Sequence, residues 1–169
     1  QEVAHFLFER HPFVSSSALA RSSDTLSSSV HSRGKDFVLY RGDSLELLSK
    51  FDDATFDLVF ADPPYFLSNG GFTCSGGKRA PVAKGKWDTS KGIEEDHEFT
   101  TAWLAACKRV LKPTGTMWVS GTQHVIFNVG FAMQKLGFKL LNTVTWFKPN
   151  ASPNLSCRYF THSSEIVIW

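Results

Sequence analysis

From residue 37 onward, short apolar runs alternate with helical periods, and turn residues mark most of the switches. Phe37-Val38-Leu39-Tyr40 reads as a buried strand ended by Arg41-Gly42-Asp43-Ser44. Ser44 is placed to cap a short helix with Leu45, Leu47 and Leu48 on its inward side. Phe56 to Ala61 reads as the next strand, and it must stop at Pro63-Pro64 because proline donates nothing to a ladder. Residues 66–95 form an irregular stretch rich in glycine and lysine. Phe99, Trp103, Cys107, Val110 and Leu111 then recur at helical steps, and Lys112-Pro113-Thr114-Gly115 is expected to break that helix. Thr116 to Ser120 predicts a strand. Ile126, Val129, Met133 and Leu136 predict a second amphipathic helix, stopped by Gly137. Leu140 to Phe147 is expected as a strand, followed by a loop to Cys157 and a last apolar run from Glu165 to Trp169.

Strands separated by helices of this length imply crossover connections, hence an α/β fold with a mostly parallel sheet and flanking helices. In open sheets of this kind, function gathers beyond the carboxyl ends of the strands. Asp43-Ser44 and Asp62 to Tyr65 both sit at such ends, so they are expected to share one site.

Composition adds limits rather than a function. The chain has 169 residues, 42% hydrophobic and 20% charged, with a net charge of +2. That is enough for a core, and too little net charge to argue for nucleic acid by itself. The three cysteines, Cys74, Cys107 and Cys157, are far apart and suggest free thiols in a reducing compartment such as the cytoplasm. No apolar run approaches the ~18 residues needed to span a bilayer. Residues 1–36, crowded with serine between 15 and 32, are expected as a flexible polar leader. The domain proper is expected over 37–169.

The chemistry concentrates at Asp62-Pro63-Pro64-Tyr65. This string could be only a rigid turn closing a strand, but its residue types also suit one reaction. The exocyclic amino nitrogen of adenine is a poor nucleophile because its lone pair is delocalised into the ring. An acceptor on each N–H draws it toward a tetrahedral shape. Asp62 can supply one acceptor and the Pro63 carbonyl, held by two fixed φ angles, the other. Tyr65 offers a ring for a base extruded from the duplex. In the following loop, Lys78, Arg79, Lys84, Lys86 and Lys91 stand against one acid, Asp88, before Glu94, a balance suited to phosphate contact. Gly70, Gly71, Gly76 and Gly77 would let that loop move. Arg158, beside Tyr159 and Phe160, is a second candidate for DNA contact, with core packing of the two aromatics as the alternative. His162 and Glu165 alone are poor evidence for a metal, and none is expected.

Asp62-Pro63-Pro64-Tyr65, extended as Phe60 to Gly71, resembles the motif of amino-methyltransferases that use S-adenosylmethionine. With Lys84-Gly85-Lys86-Trp87-Asp88, the string from Val110 to Thr116 and the string from Asn154 to Glu165, it resembles the beta-class N6-adenine DNA methyltransferases of bacterial restriction–modification systems. The likeness is strongest to the second, single-strand-active methyltransferase of GATC systems, and it runs from about residue 37 to the end. It implies a Rossmann-like methyltransferase sheet and methyl transfer by base flipping. It also implies that Asp62 and Pro63 meet both the target amino group and the donor's sulfonium end, with Asp43 and Ser44 at the donor's adenosine. The recognition sequence and oligomeric state stay open, a homodimer being one option. The family's glycine-rich Phe-x-Gly-x-Gly donor loop has no counterpart here, and the chain stops at Trp169 inside an apolar run. Both features suggest a fragment, incomplete at the C-terminus, with an exposed hydrophobic edge. Related Pro-Pro-Tyr sites act on RNA bases, protein glutamine or cytosine N4, and a non-catalytic DNA-binding subunit is the reading from another class.

Overall fold

The computed structural model describes residues 26–76, 78–154 and 156–169, together with the backbone of 5–9. The remaining residues of the serine-rich leader lie outside the described residues.

Nine strands are described: β1 (His5–Glu9), β2 (Val30–Arg33), β3 (Val38–Tyr40), β4 (Phe56–Asp62), β5 (Phe72–Ser75), β6 (Lys78–Pro81), β7 (Leu111–Gly121), β8 (Thr143–Phe147) and β9 (Ser164–Ile168). Three helices join them: α1 (Ser44–Ser49), α2 (Ile93–Val110) and α3 (Ile126–Lys135). The central sheet has the order β1-β4-β7-β9-β8, while β2-β3 and β5-β6 form separate ribbons.

The α/β layering matches expectation, but the strand directions do not make a mostly parallel sheet. Only β4 and β7 pair in parallel; β1 with β4, β7 with β9 and β8 with β9 are antiparallel. The cause is connection length and content. The 18-residue α2 carries the chain back over the sheet and makes β7 parallel to β4. No helix is present among the described residues between β8 and β9, and β9 returns antiparallel and slots between β8 and β7. The Ile166-Val167-Ile168 run is therefore paired on both sides, not left as an exposed edge. Trp169 stacks on Trp118 at 4.8 Å between ring centres, and its indole N–H donates to Thr116 Oγ1 at 2.5 Å.

Three further expectations change. Phe37 to Tyr40 is not a buried strand of the central sheet. Val38 to Tyr40 pairs with β2 in its own ribbon, and Phe37 is 61% exposed. Thus part of the stretch expected as a leader is structured: Val30–Arg33 pairs with β3 and His5–Glu9 with β4. Lys112 to Gly115 does end α2, yet it forms a bulge inside β7 instead of a loop. Lys112 Nζ closes the bulge on both oxygens of Asp57 at 2.8 Å. A Cβ at Gly115 would press on the Leu111 side chain at 2.7 Å and lie 3.0 Å from the Asp57 carbonyl, so the bulge is tight around this glycine.

The core forms where α1, α2 and α3 cover one face of the sheet. Trp103, Leu104, Cys107 and Val110 of α2 meet Val59 and Ala61 of β4, Met117 and Val119 of β7, and Ile126, Val129 and Met133 of α3. This packing fixes the carboxyl ends of β4 and β7 side by side. No described helix is long and apolar enough to cross a membrane.

Candidate active site

The parallel register sets Ala61 opposite Val119, which brings the next residues, Asp62 and Ser120, together at the two strand ends. Ser120 Oγ donates to Asp62 Oδ1 at 2.7 Å. The Tyr65 hydroxyl donates to the same oxygen at 2.6 Å and lies 3.2 Å from Ser120 Oγ. Two donors thus hold Oδ1, and Oδ2 has no partner among the described residues. The carboxylate is oriented, with one oxygen presented outward from an exposed residue. No described group donates to the Pro63 carbonyl either. Neither of the two expected acceptors is thus taken by another group among the described residues, and Pro63 and Pro64 themselves are buried.

Tyr65 differs from its expected role as an open stacking face. The residue is only 8% exposed, and its hydroxyl serves Asp62. Burial, reinforced by the neighbouring Asp62, pushes that hydroxyl well above its ordinary range, so it stays a proton donor. Lys84 Nζ lies 5.4 Å from the ring centre. Beside the tyrosine opens a cavity of about 220 Å³, lined in part by Phe66, Asn69, His124 and Asn128.

The turn after Pro64 is held from a distance. Phe66 adopts φ 54°, a left-handed conformation that costs a non-glycine residue about 1–2 kcal/mol. On either side of it, the Tyr65 and Leu67 N–H groups donate to Asp88 Oδ1 and Oδ2 at 3.0 and 3.3 Å. Ser68 Oγ adds a third bond to Oδ2 at 2.8 Å and accepts the Lys84 N–H at 2.9 Å. Asp88 is 0% exposed. The acid that sequence placed among solvated lysines is an internal anchor.

The other candidates divide. Lys78, Arg79, Lys84, Lys86 and Arg158 are all exposed. Lys78 and Arg79 sit on the β5–β6 ribbon, where the Arg79 guanidinium covers the Phe72 ring at 3.8 Å. Tyr159 and Phe160 are 60% and 96% exposed, which excludes the core-packing alternative. Tyr159 stacks against His162, whose Nε2 meets Gln123 at 3.0 Å; Glu165 pairs with Lys148. Asp43 and Ser44 are not drawn into the Asp62 cluster: no hydrogen bond joins them to it among the described residues. Asp43, not Ser44, caps α1, accepting Leu45 and Glu46 N–H at 2.9 and 3.0 Å. β3, which delivers them, belongs to a different sheet from β4.

Sequence reasoning missed Ser120 and Asp88. Ser120 had a usable signal, since it ends the strand after the motif strand and strand ends build such sites. Asp88 closes the Lys84–Asp88 string that carried the family likeness, but a charge in a basic loop does not announce its burial.

Comparison with known proteins adds independent findings. Residues 56–169 match a family model described as DNA methylase, covering N6 and N4 enzymes. Type II methyltransferase M2.DpnII of Streptococcus pneumoniae is 52% identical over 132 residues, which cover 78% of this chain and 49% of the relative. M2.MboI of Moraxella bovis is 47% identical over 135 residues, 80% of this chain and 50% of its own. The chain spans about half the length of the curated relatives it matches. Among solved structures, PvuII DNA methyltransferase (cytosine-N4-specific) superimposes with a TM-score of 0.55 at 23% identity, over 78% of this chain and 48% of that one. TTHA0409 of Thermus thermophilus, assigned as a DNA modification methylase, gives a TM-score of 0.51 at 20% identity over 75% and 49%. These two likenesses speak for the fold.

Proposed function

The chain belongs to the DNA methylase family, and from that premise we propose that it carries the base-binding half of a DNA methyltransferase specific for the N6 amino group of adenine. The methyl donor in this reading is S-adenosylmethionine. The protein acts in the bacterial cytoplasm, in a restriction–modification system, on an adenine flipped from DNA. The observation that carries the reading is the Asp62 carboxylate, clamped at Oδ1 by Tyr65 and Ser120, with Oδ2 and the neighbouring Pro63 carbonyl unpartnered among the described residues.

Oδ2 accepts one N–H of the adenine amino group and the Pro63 carbonyl accepts the other. Together they localise the nitrogen lone pair and aim it out of the ring plane. S-adenosylmethionine, when bound, supplies an electrophilic methyl group on its sulfonium sulfur. As the nitrogen becomes methylated it must shed a proton, and Oδ2, already bonded to that N–H, is placed to receive it and pass it to water. Because both acceptors exist before the substrate arrives, little reorganisation is left for the transition state. Of the residues expected to hold the donor, Asp62 and Pro63 fit this arrangement. Asp43 is occupied as a helix cap, and its contact with the donor's adenosine is not part of the proposal. Exposed Lys78, Arg79, Lys84, Lys86 and Arg158 supply phosphate contacts that position the duplex without reading its sequence.

The test is methyl transfer from labelled S-adenosylmethionine to unmodified DNA by the full-length protein, followed by digestion to nucleosides. The expected product is N6-methyladenine, with Asp62→Ala slower by about 10²–10³-fold or more. N4-methylcytosine as the product would overturn the assigned base. An unchanged rate in Asp62→Ala would overturn the mechanism.

A further inference from the structure

Three observations converge on Asp88, a residue that the chemistry above does not use. Its carboxylate is fully buried with no cation paired to it among the described residues. A buried charge is costly unless its surroundings satisfy it. Here the satisfaction comes entirely from the catalytic motif's own turn. Pro63 and Pro64 have no N–H, so Tyr65 supplies the first backbone donor after Asp62, and that donor goes to Asp88. The left-handed φ at Phe66 turns the Tyr65 and Leu67 N–H groups toward one side, a concavity that suits an anion. Asp88 fills it from another part of the chain. Ser68 Oγ then links the same carboxylate to the Lys84 backbone.

We infer that Asp88 is a positioning residue for the base-binding carboxylate. It holds residues 65–67 in the one turn that keeps the Tyr65 hydroxyl on Asp62. It also ties that contact to the placement of the basic segment Lys84–Lys86. The inference rests on the methyl-transfer reading above. Under it, a basic loop displaced from DNA and a Tyr65 hydroxyl displaced from Asp62 are one event, because a single carboxylate anchors both.

The experiment measures kcat and DNA KM for the full-length wild type, Asp88→Asn, Tyr65→Phe and the double variant, with thermal unfolding to confirm folding. Asp88→Asn is expected to lower kcat on the order of 10²-fold, as for a misplacement of about 1 Å, and also to raise KM for DNA, because the Lys84–Lys86 segment loses the same anchor. The double variant is expected to be no slower than the slower single, because both substitutions act through one contact. A merely structural role predicts losses that multiply in the double variant, and that result would overturn the inference. So would a wild-type kcat in Asp88→Asn. Should Asp88→Asn fail to fold, Ser68→Ala removes one of the three bonds. It should lower kcat in the wild-type background and have no effect beside Tyr65→Phe; no effect in either would refute the role. A wild type without methyl transfer would overturn the function itself, and this inference with it.

Discussion

Replacing Ser120 by alanine separates orientation of the Asp62 carboxylate from its mere presence. The substitution deletes a donor at 2.7 Å from Oδ1 but leaves the Tyr65 hydroxyl on the same oxygen at 2.6 Å. A hydrogen bond to a charged group contributes about 1.5–3 kcal/mol, and removing it costs most where the acceptor is left dry and unpaired. Oδ1 is neither, since Asp62 is exposed and retains Tyr65. A cost at or just below the bottom of that range, about 1–1.5 kcal/mol, is therefore expected. At about 1.4 kcal/mol per tenfold, this means a fall in kcat of roughly 5- to 10-fold. Ser120→Ala combined with Tyr65→Phe strips both donors and lets the carboxylate turn about its own bond. The loss should then exceed the product of the two singles and reach on the order of 10²-fold or more. Single-turnover methyl transfer with labelled donor measures this, with KM for DNA as the control that binding is intact. Two results refute the reasoning. A loss of about 10³-fold in Ser120→Ala alone would mean that Ser120 touches the reacting atoms. A double variant that methylates at the wild-type rate would mean that carboxylate orientation is irrelevant.

Three other outcomes follow from the packing and the surface. Leu104→Ala, at a position fully buried between α2 and the sheet, should destabilise the fold by about 2–5 kcal/mol, read from denaturant midpoints at unchanged slope. Burial drives the Cys107 thiol far above its ordinary range, while Cys157 is exposed. Mass spectrometry after iodoacetamide treatment should find Cys157 alkylated in the native protein and Cys107 only after unfolding. Early labelling of Cys107 would contradict the core described. Lys84→Ala with Lys86→Ala should weaken DNA binding alike for every sequence and reduce the slope of log affinity against log salt by about one for each phosphate no longer neutralised. A defect confined to one sequence would assign these lysines to base readout instead.

The sequence by itself determined the elements and the chemistry of the motif. Apolar period marked α2 and α3, and two prolines forced β4 to end at Asp62, because proline cannot extend a ladder whatever surrounds it. The strings around that motif also pointed to the family to which residues 56–169 belong. What depends on pairing between distant segments was decided only by the tertiary structure. β9 entering antiparallel beside β7 converts an apparent free edge into an interior strand. Partner choice likewise placed Val38 to Tyr40 in a ribbon of its own instead of the central sheet. Ser120 reaches Asp62 because β4 and β7 lie in parallel register, 58 residues apart in the chain. Asp88 became an internal anchor because a left-handed turn at Phe66 presents two N–H groups that only a buried anion satisfies. Local propensity is written in neighbouring residues. Burial and register are collective results of packing, so the two groups that orient Asp62 and its turn could be seen only in the folded chain.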